Sequence, residues 1–193
     1  MLLATALLAS CGTAPPAAPE SQAAGPTSEL SRYLPLEHDT VLAFDTTIEE
    51  SGETGVLMLR VARKSGNLVE LGVGGRVQRL ELLPGAIRNL DGGFLLKAPL
   101  TVGATWPGMA GIVRVTTTDK RVEVPAGRFE GCVETVEEKT LPGGFKRITT
   151  DFCPGVGIVV LDVEAAAGAD QARETARLRS RSKRVDLMVE VPK

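Results

Sequence analysis

The sequence predicts an all-β domain built as a meander of antiparallel strands. Turn-forming residues recur at short intervals, and the chain contains 21 glycines. Between the turns, apolar and polar residues alternate, and Leu80 and Leu82 flank Glu81 in one such run. A period of two is typical of strands with one buried face. Links this short join neighbouring antiparallel strands, because parallel strands need a longer crossover.

The composition limits the classes of function. The formal net charge is −2, so no excess of positive charge favours a nucleic acid partner. Residues 30–193 have the length of one domain, which we predict to be a single β domain.

The first ten residues predict an export signal. Residues 1–10 are apolar and uncharged, and Cys11 follows them. The run Leu8-Ala9-Ser10-Cys11 resembles the lipobox of bacterial lipoproteins, which implies cleavage before Cys11 and acylation of its thiol. Two or three acyl chains would hold the mature protein stably in a membrane. The stretch is too short to be a membrane-spanning helix.

The segment around the lipobox leaves one alternative open. A signal peptide opens with basic residues, and none is present, so we expect translation to begin upstream of Met1. The alternative is an apolar tail that happens to precede a cysteine. Residues 11–29 are rich in Pro and Ala and predict a flexible tether after the lipidated Cys11. Gly12 rather than Asp follows Cys11, and by analogy with enterobacteria this favours the outer membrane, with the domain facing the periplasm or the exterior.

Turn signals divide the first half of the domain into short strands. Gly-Gly, Asp-Gly and Pro-Gly dipeptides accept the positive φ of tight turns. We expect strands over 39–49, 55–64, 68–73, 76–83, 86–90 and 94–97.

Residues 99–111 interrupt this rhythm and predict a loop or lid. The segment holds Trp106, the only tryptophan. We expect Trp106 either to anchor the loop over the end of the sheet or to form a wall of a ligand pocket. Further strands are predicted over 112–118, 121–124 and 157–163, with a small-residue connection over 164–170.

The stretch 122–163 predicts a central hairpin around the break Leu141-Pro142-Gly143-Gly144. In the register that a two- or four-residue loop gives, Val133 faces Phe152, and Phe129 faces Val156. Such apolar cross-strand pairs stabilise sheets. The same register sets Glu134 against Asp151, which is an unfavourable pair of like charges.

This register also places Cys132 directly opposite Cys153. Opposed Cα atoms lie about 4.5–5.5 Å apart, within the span of a disulfide. We therefore predict a Cys132–Cys153 disulfide on the polar face of the hairpin, away from Val133 and Phe152. The alternative is a pair of free buried thiols.

The last segment, 172–191, predicts a strand rather than a helix, because no apolar stripe forms at helical spacing. As a strand it places a basic row on one face. The row comprises Arg173, Arg177, Arg179, Arg181 and Lys183. Such a row is normally a solvated outer face, and the alternative is a contact for anionic lipid headgroups or polysaccharide.

Four ordered segments resemble a family of bacterial envelope lipoproteins, the TapB family. They are 33–36 (YLPL), 99–106 (PLTVGATW), 124–129 (VPAGRF) and 154–159 (PGVGIV). The family usually has Gly and then Trp shortly after the first segment, where this chain reads His38-Asp39-Thr40-Val41. The resemblance implies an antiparallel sheet curved into a cup or barrel, and it supplies no catalytic residues.

The residues favour binding over catalysis. His38 is the only histidine, and no Gly-x-Ser-x-Gly motif is present, so we expect no catalytic residues, no metal and no cofactor. The preferred function is that of a membrane-anchored lipoprotein that binds an apolar or amphipathic ligand in a curved sheet. The alternative is an accessory subunit that docks onto another envelope protein. Expected partners are the membrane, through the acyl chains, and a lipid-like ligand or an envelope protein, but not nucleic acid.

Overall fold

The computed structural model describes residues 26–183. The predicted signal, the lipidation site at Cys11 and most of the predicted tether lie outside the described residues. So do residues 184–191 of the predicted C-terminal strand.

The described part of the chain forms one helix and twelve strands. The elements are α1 (Pro26–Tyr33), β1 (Thr40–Ile48), β2 (Thr54–Arg63), β3 (Leu68–Val73), β4 (Arg76–Leu83), β5 (Ala86–Asn89), β6 (Phe94–Lys97), β7 (Thr105–Pro107), β8 (Ile112–Val124), β9 (Gly127–Leu141), β10 (Gly144–Cys153), β11 (Gly157–Ala167) and β12 (Asp170–Lys183). The helix covers the last residues of the segment predicted as tether.

All twelve strands belong to one antiparallel sheet that curves into a nearly closed barrel. The strand order is β6-β5-β4-β3-β2-β1-β12-β11-β10-β9-β8-β7, so the first strand, β1, pairs with the last, β12. Trp106 on β7 donates its indole N–H to the carbonyl oxygen of Phe94 on β6, at 3.2 Å. The predicted all-β fold is confirmed.

The two edges of the sheet also approach each other beside this hydrogen bond. A Cβ atom on Gly93 would lie 2.0 Å from the carbonyl oxygen of Gly108. No side chain fits there, and Gly93 also has a φ of 72°. The seam therefore depends on glycine at a turn that the sequence marks only as Asp-Gly-Gly.

The barrel has one open end and one covered end. Hairpin turns alternate between the ends because every strand is antiparallel to its neighbours. Helix α1 packs at the end opposite the β3–β4 and β9–β10 turns. Its Leu30 and Leu34 are 2% and 5% exposed, and the Arg32 carbonyl accepts a hydrogen bond from Gly155 N at 2.7 Å.

The central hairpin has the predicted register. Val133 pairs with Phe152, and Cys132 and Cys153 form a disulfide with Cα atoms 4.2 Å apart. The predicted pairing of Phe129 with Val156 is wrong, because the ladder ends at Phe152 and Phe129 instead faces Val122 on β8.

The predicted polar environment of the disulfide is also wrong, since both cysteines are 0% exposed. Register shifts between Val115 and Val122 bend the β8–β9 hairpin, so that its turn reaches β12. There the backbone N–H of Ala126 donates a hydrogen bond to the carbonyl oxygen of Leu178, at 2.9 Å. This crossing buries the cysteine face, and nothing local in the sequence indicates it.

The strand boundaries differ from prediction by more than two residues in three places. The 99–111 segment contains β7, the predicted strands 112–118 and 121–124 are the single strand β8, and the connection predicted over 164–170 is mostly strand. In the last case, Ala165 pairs with both Lys146 and Ala172. Ladder pairing on both sides overrides the weak strand preference of alanine.

Candidate functional site

A cavity of about 470 Å³ lies inside the barrel. This is within the range of about 300–1,000 Å³ that is typical of small-molecule sites. Side chains alternate between the two faces of each strand, and the apolar residues at alternate positions face inward. The wall of the cavity is therefore mainly aliphatic. The apolar lining residues are Phe44, Leu57, Leu59, Leu71, Val73, Leu95, Met109, Ala110, Ile148, Ile158, Leu161, Val163 and Ala176.

The turn between β7 and β8 forms one side of the cavity mouth. Glu137 on β9 accepts hydrogen bonds from Ala110 N at 2.5 Å and Gly111 N at 2.8 Å through one carboxylate oxygen. Met109, which is 46% exposed and lines the cavity, is contacted by the Asn89 side-chain amide at 3.1 Å from its sulfur. The Glu137 carboxylate thus fixes the turn that carries Met109.

Basic side chains lie at the polar part of the mouth. Arg76 on β4 and Lys146 on β10 both line the cavity. Lys139 on β9 pairs directly with Lys146, so the two ammonium groups share the inner face of the sheet. Like charges in directly opposed positions are unfavourable. Within residues 26–183, none of the three cations forms an ion pair with a carboxylate.

Trp106, predicted either to anchor its loop or to form a wall of a ligand pocket, is not among the residues that line this cavity. The side chain is 3% exposed and its N–H is used at the β6–β7 seam. The predicted alternative, an anchor for the loop, describes its position.

The predicted basic row is not a single face. In the register between β1 and β12, Arg177 is opposite Asp45 and Arg181 is opposite the buried Leu42. A bulge in β12 lies between these two positions. Paired residues share a face, so the bulge puts these two arginines on opposite faces of the sheet.

Carboxylates also neutralise most of the row. The ion pairs are Arg173 with Glu49 and Asp162, Arg179 with Asp45, and both Arg181 and Lys183 with Glu37. These pairs leave little free positive charge for anionic lipid headgroups or polysaccharide.

A cluster of charged side chains surrounds the buried Asp151, on the face of the hairpin that carries the disulfide. Lys120 on β8 lies 2.5 Å from a Glu134 oxygen and 2.9 Å from both oxygens of Asp151. This lysine relieves the predicted repulsion between the two opposed carboxylates. Burial raises the pKa of Asp151, which is 1% exposed, although Lys120 opposes the shift. Burial acts in the same direction on Glu134, but hydrogen bonds from Lys120 and Thr116 outweigh it and lower the pKa of Glu134.

The cluster predicts a specific pH dependence for Asp151→Asn. Because the folded-state pKa of Asp151 lies above its ordinary value of 3.8, its stabilising contribution is complete below that value. The contribution is lost as the pH rises through the folded-state pKa. We therefore expect the stability of wild type relative to the variant to fall as the pH rises above about 4.

Urea unfolding across this pH range measures the difference. Asp119→Asn, at an exposed position on the same strand as Lys120, is the control and should show no comparable trend. If the difference in free energy of unfolding between wild type and Asp151→Asn stayed constant or rose with pH, it would contradict the raised pKa of Asp151.

His38 is a polar loop residue. Its Nδ1 accepts from Arg63 N at 3.1 Å, and its Nε2 lies 3.4 Å from an Asp39 oxygen. Among residues 26–183, no three His, Cys, Asp or Glu side chains are arranged to hold a metal ion. The helix in the same region is neither long nor apolar enough to cross a membrane.

Sequence reasoning did not identify the residues that line the cavity, which come from nine strands and one turn. One signal was available. The register that paired Cys132 with Cys153 also pairs Lys139 with Lys146, and an opposed lysine pair indicates a site for negative charge.

Comparisons with known proteins identify a structure with a similar fold, but they identify no family for this chain. Neither a scan of protein-family models nor a search of curated proteins gives a match. The structure is similar to a candidate exported protein with a YmcC-like fold from Bacteroides fragilis, with 13% identity, a TM-score of 0.51, and coverage of 79% of this chain and 99% of that one. A candidate lipoprotein from Parabacteroides distasonis gives 11% identity, a TM-score of 0.41, and coverage of 78% and 98%. The chain thus shares the fold of the Bacteroides fragilis protein.

Proposed function

We propose that this protein binds an amphiphile, with the apolar part of the ligand inside the barrel. The observation that carries the proposal is the cavity of about 470 Å³, whose lining is mainly aliphatic and whose charged side chains are Arg76, Glu137 and Lys146. An apolar chain buried there gains about 0.8 kcal/mol per methylene. The role is non-catalytic binding.

The proposal also assigns a place to the protein. The lipobox at Leu8-Ala9-Ser10-Cys11 supports acylation at Cys11 and attachment to the bacterial envelope, with the outer membrane favoured. A domain tethered to a membrane meets amphiphiles at high local concentration. Docking to an envelope protein through the basic row is less favoured, because carboxylates already pair with Arg173, Arg179 and Arg181.

Binding should strengthen with chain length. Titration of the full chain with saturated amphiphiles of one head group, below their micelle concentrations, should show affinity rising roughly fourfold per methylene. The rise should stop once the cavity is filled. Affinity that is independent of chain length would contradict binding inside the barrel.

Filling the cavity should weaken binding. Val163 lines the cavity, and Val163→Phe places a larger ring inside it. We expect at least a roughly tenfold loss of affinity for the longest amphiphile, equivalent to about 1.4 kcal/mol. The measurement is isothermal titration calorimetry or displacement of a fluorescent fatty acid.

Val56→Phe is the matched control. Val56 is 58% exposed and pairs with Asp45, so it lies on the outer face of the barrel. The same volume added there should leave affinity unchanged. Equal losses in the two variants, or no loss in either, would remove the cavity as the site.

A further inference from the structure

The groups at the cavity mouth indicate which class of amphiphile fits, and this inference rests on the proposed function. We infer that the ligand is a single-chain amphiphile with an anionic head group, a carboxylate or a phosphate, held by Arg76, Lys146 and Lys139. Arg76 and Lys146 line the cavity on opposite sides of the barrel, and Lys139 is directly opposite Lys146.

None of these cations has a carboxylate within 4 Å among the described residues, whereas four of the five basic side chains of the β12 row do. Other cations without an ion pair, such as Arg60 and Arg114, lie at exposed positions that do not line the cavity. What distinguishes the mouth is that Arg76 and Lys146 line the cavity and Lys139 is directly opposite Lys146. A cross-strand lysine pair costs stability unless an anion lies between the two groups.

Two carboxylates share the inner face near these cations, and neither forms an ion pair with them among the described residues. Glu137 lines the cavity, but one of its oxygens accepts two backbone hydrogen bonds from Ala110 and Gly111. Glu174 on β12 pairs with the cavity-lining Val163 and therefore lies on the inner face, at an exposed position. The three cations outnumber these two carboxylates, and the head group of the ligand supplies the remaining negative charge.

The neighbouring positions leave room for a head group. Lys146 pairs with Ala165 on β11, and Ala165 pairs with Ala172 on β12, so two small side chains share its face. A methyl group at each position keeps the lysine accessible from the open end. The lysine stem can lie along the apolar wall while its ammonium group faces the head group.

The test uses three probes with the same chain on the full-length protein: dodecanoate, dodecyl phosphate and the neutral dodecyl maltoside. Wild type should bind at least one anionic probe roughly tenfold more tightly than the neutral one. The preference should decrease as salt is raised. The tighter of the two anionic probes identifies the head group.

Charge-removing variants assign the effect to the mouth. Arg76→Gln combined with Lys146→Gln should weaken anionic binding roughly tenfold more than it weakens neutral binding. The control combines Arg60→Gln with Arg114→Gln, which removes the same charge from exposed positions that do not line the cavity. This control should keep the affinity and the preference of wild type.

The outcomes separate the two proposals. Equal affinity for charged and neutral probes, with no effect of the mouth variant, would overturn the anionic head group while the binding function stands. Equal losses in the mouth and control variants would overturn the mouth as the recognition site. No binding of any probe would overturn the proposed function and this inference together.

Discussion

Replacing Trp106 with alanine is expected to lower the free energy of unfolding by about 3–5 kcal/mol, the usual cost of truncating a buried aromatic side chain. Trp106 is 3% exposed, and its N–H donates to Phe94 across the β6–β7 seam. Its loss removes core volume and also the side-chain hydrogen bond between the sheet edges. Urea unfolding followed by far-ultraviolet circular dichroism measures the effect without needing the tryptophan itself.

Two further substitutions divide this effect. Trp106→Phe keeps most of the ring but leaves the Phe94 carbonyl without the indole donor, and should cost about 1 kcal/mol for the lost hydrogen bond, plus some packing. Val102→Ala, at a 64% exposed position of the same segment, should change stability by less than about 0.5 kcal/mol. An unfolding midpoint for Trp106→Ala equal to that of Val102→Ala would show that the seam does not stabilise the barrel.

Removing the disulfide is expected to cost about 3 kcal/mol. The double variant Cys132→Ala with Cys153→Ala opens a loop whose ends are separated by 21 residues, and the chain-entropy argument gives this magnitude. For a domain of this size the melting temperature should fall by roughly 6–12 °C. Alanine is suitable because both positions are buried and apolar substitution adds no unpaired polar group.

The comparison is made in a Cys11→Ser background, so that the remaining thiol cannot exchange. The parent protein under reducing conditions should approach the stability of the double variant. Two thiols that react with a thiol reagent in the folded, unreduced protein would show that the bond does not form. Equal melting temperatures for parent and variant would show that the bond does not stabilise the fold.

Local chemistry explains why the hairpins could be predicted. Strands β3, β4 and β6 have the predicted boundaries, because Gly and Pro end them and the alternation within them is regular. The Val133–Phe152 register follows from one short turn, in which Gly143 has a φ of 74°. The same turn places Cys132 opposite Cys153, so the disulfide could also be predicted.

Long-range contacts explain the errors. Arg179 pairs with Asp45, 134 residues away, and no local pattern connects them. The bulge that separates Arg177 from Arg181 depends on how β1 pairs with β12. The basic row therefore had the appearance of a free surface only while its partners were unknown.

The amino-acid sequence by itself determined the strands, their antiparallel order along the chain and the position of the disulfide, because each depends on residues joined by a short turn. Only the tertiary structure decided which faces are enclosed. Sheet twist, the β8 and β12 register shifts and the contact between β6 and β7 accumulate over twelve strands, and together they bury the disulfide and create the cavity. A cavity forms where side chains from distant strands fail to fill the space between them, and that property belongs to no single segment.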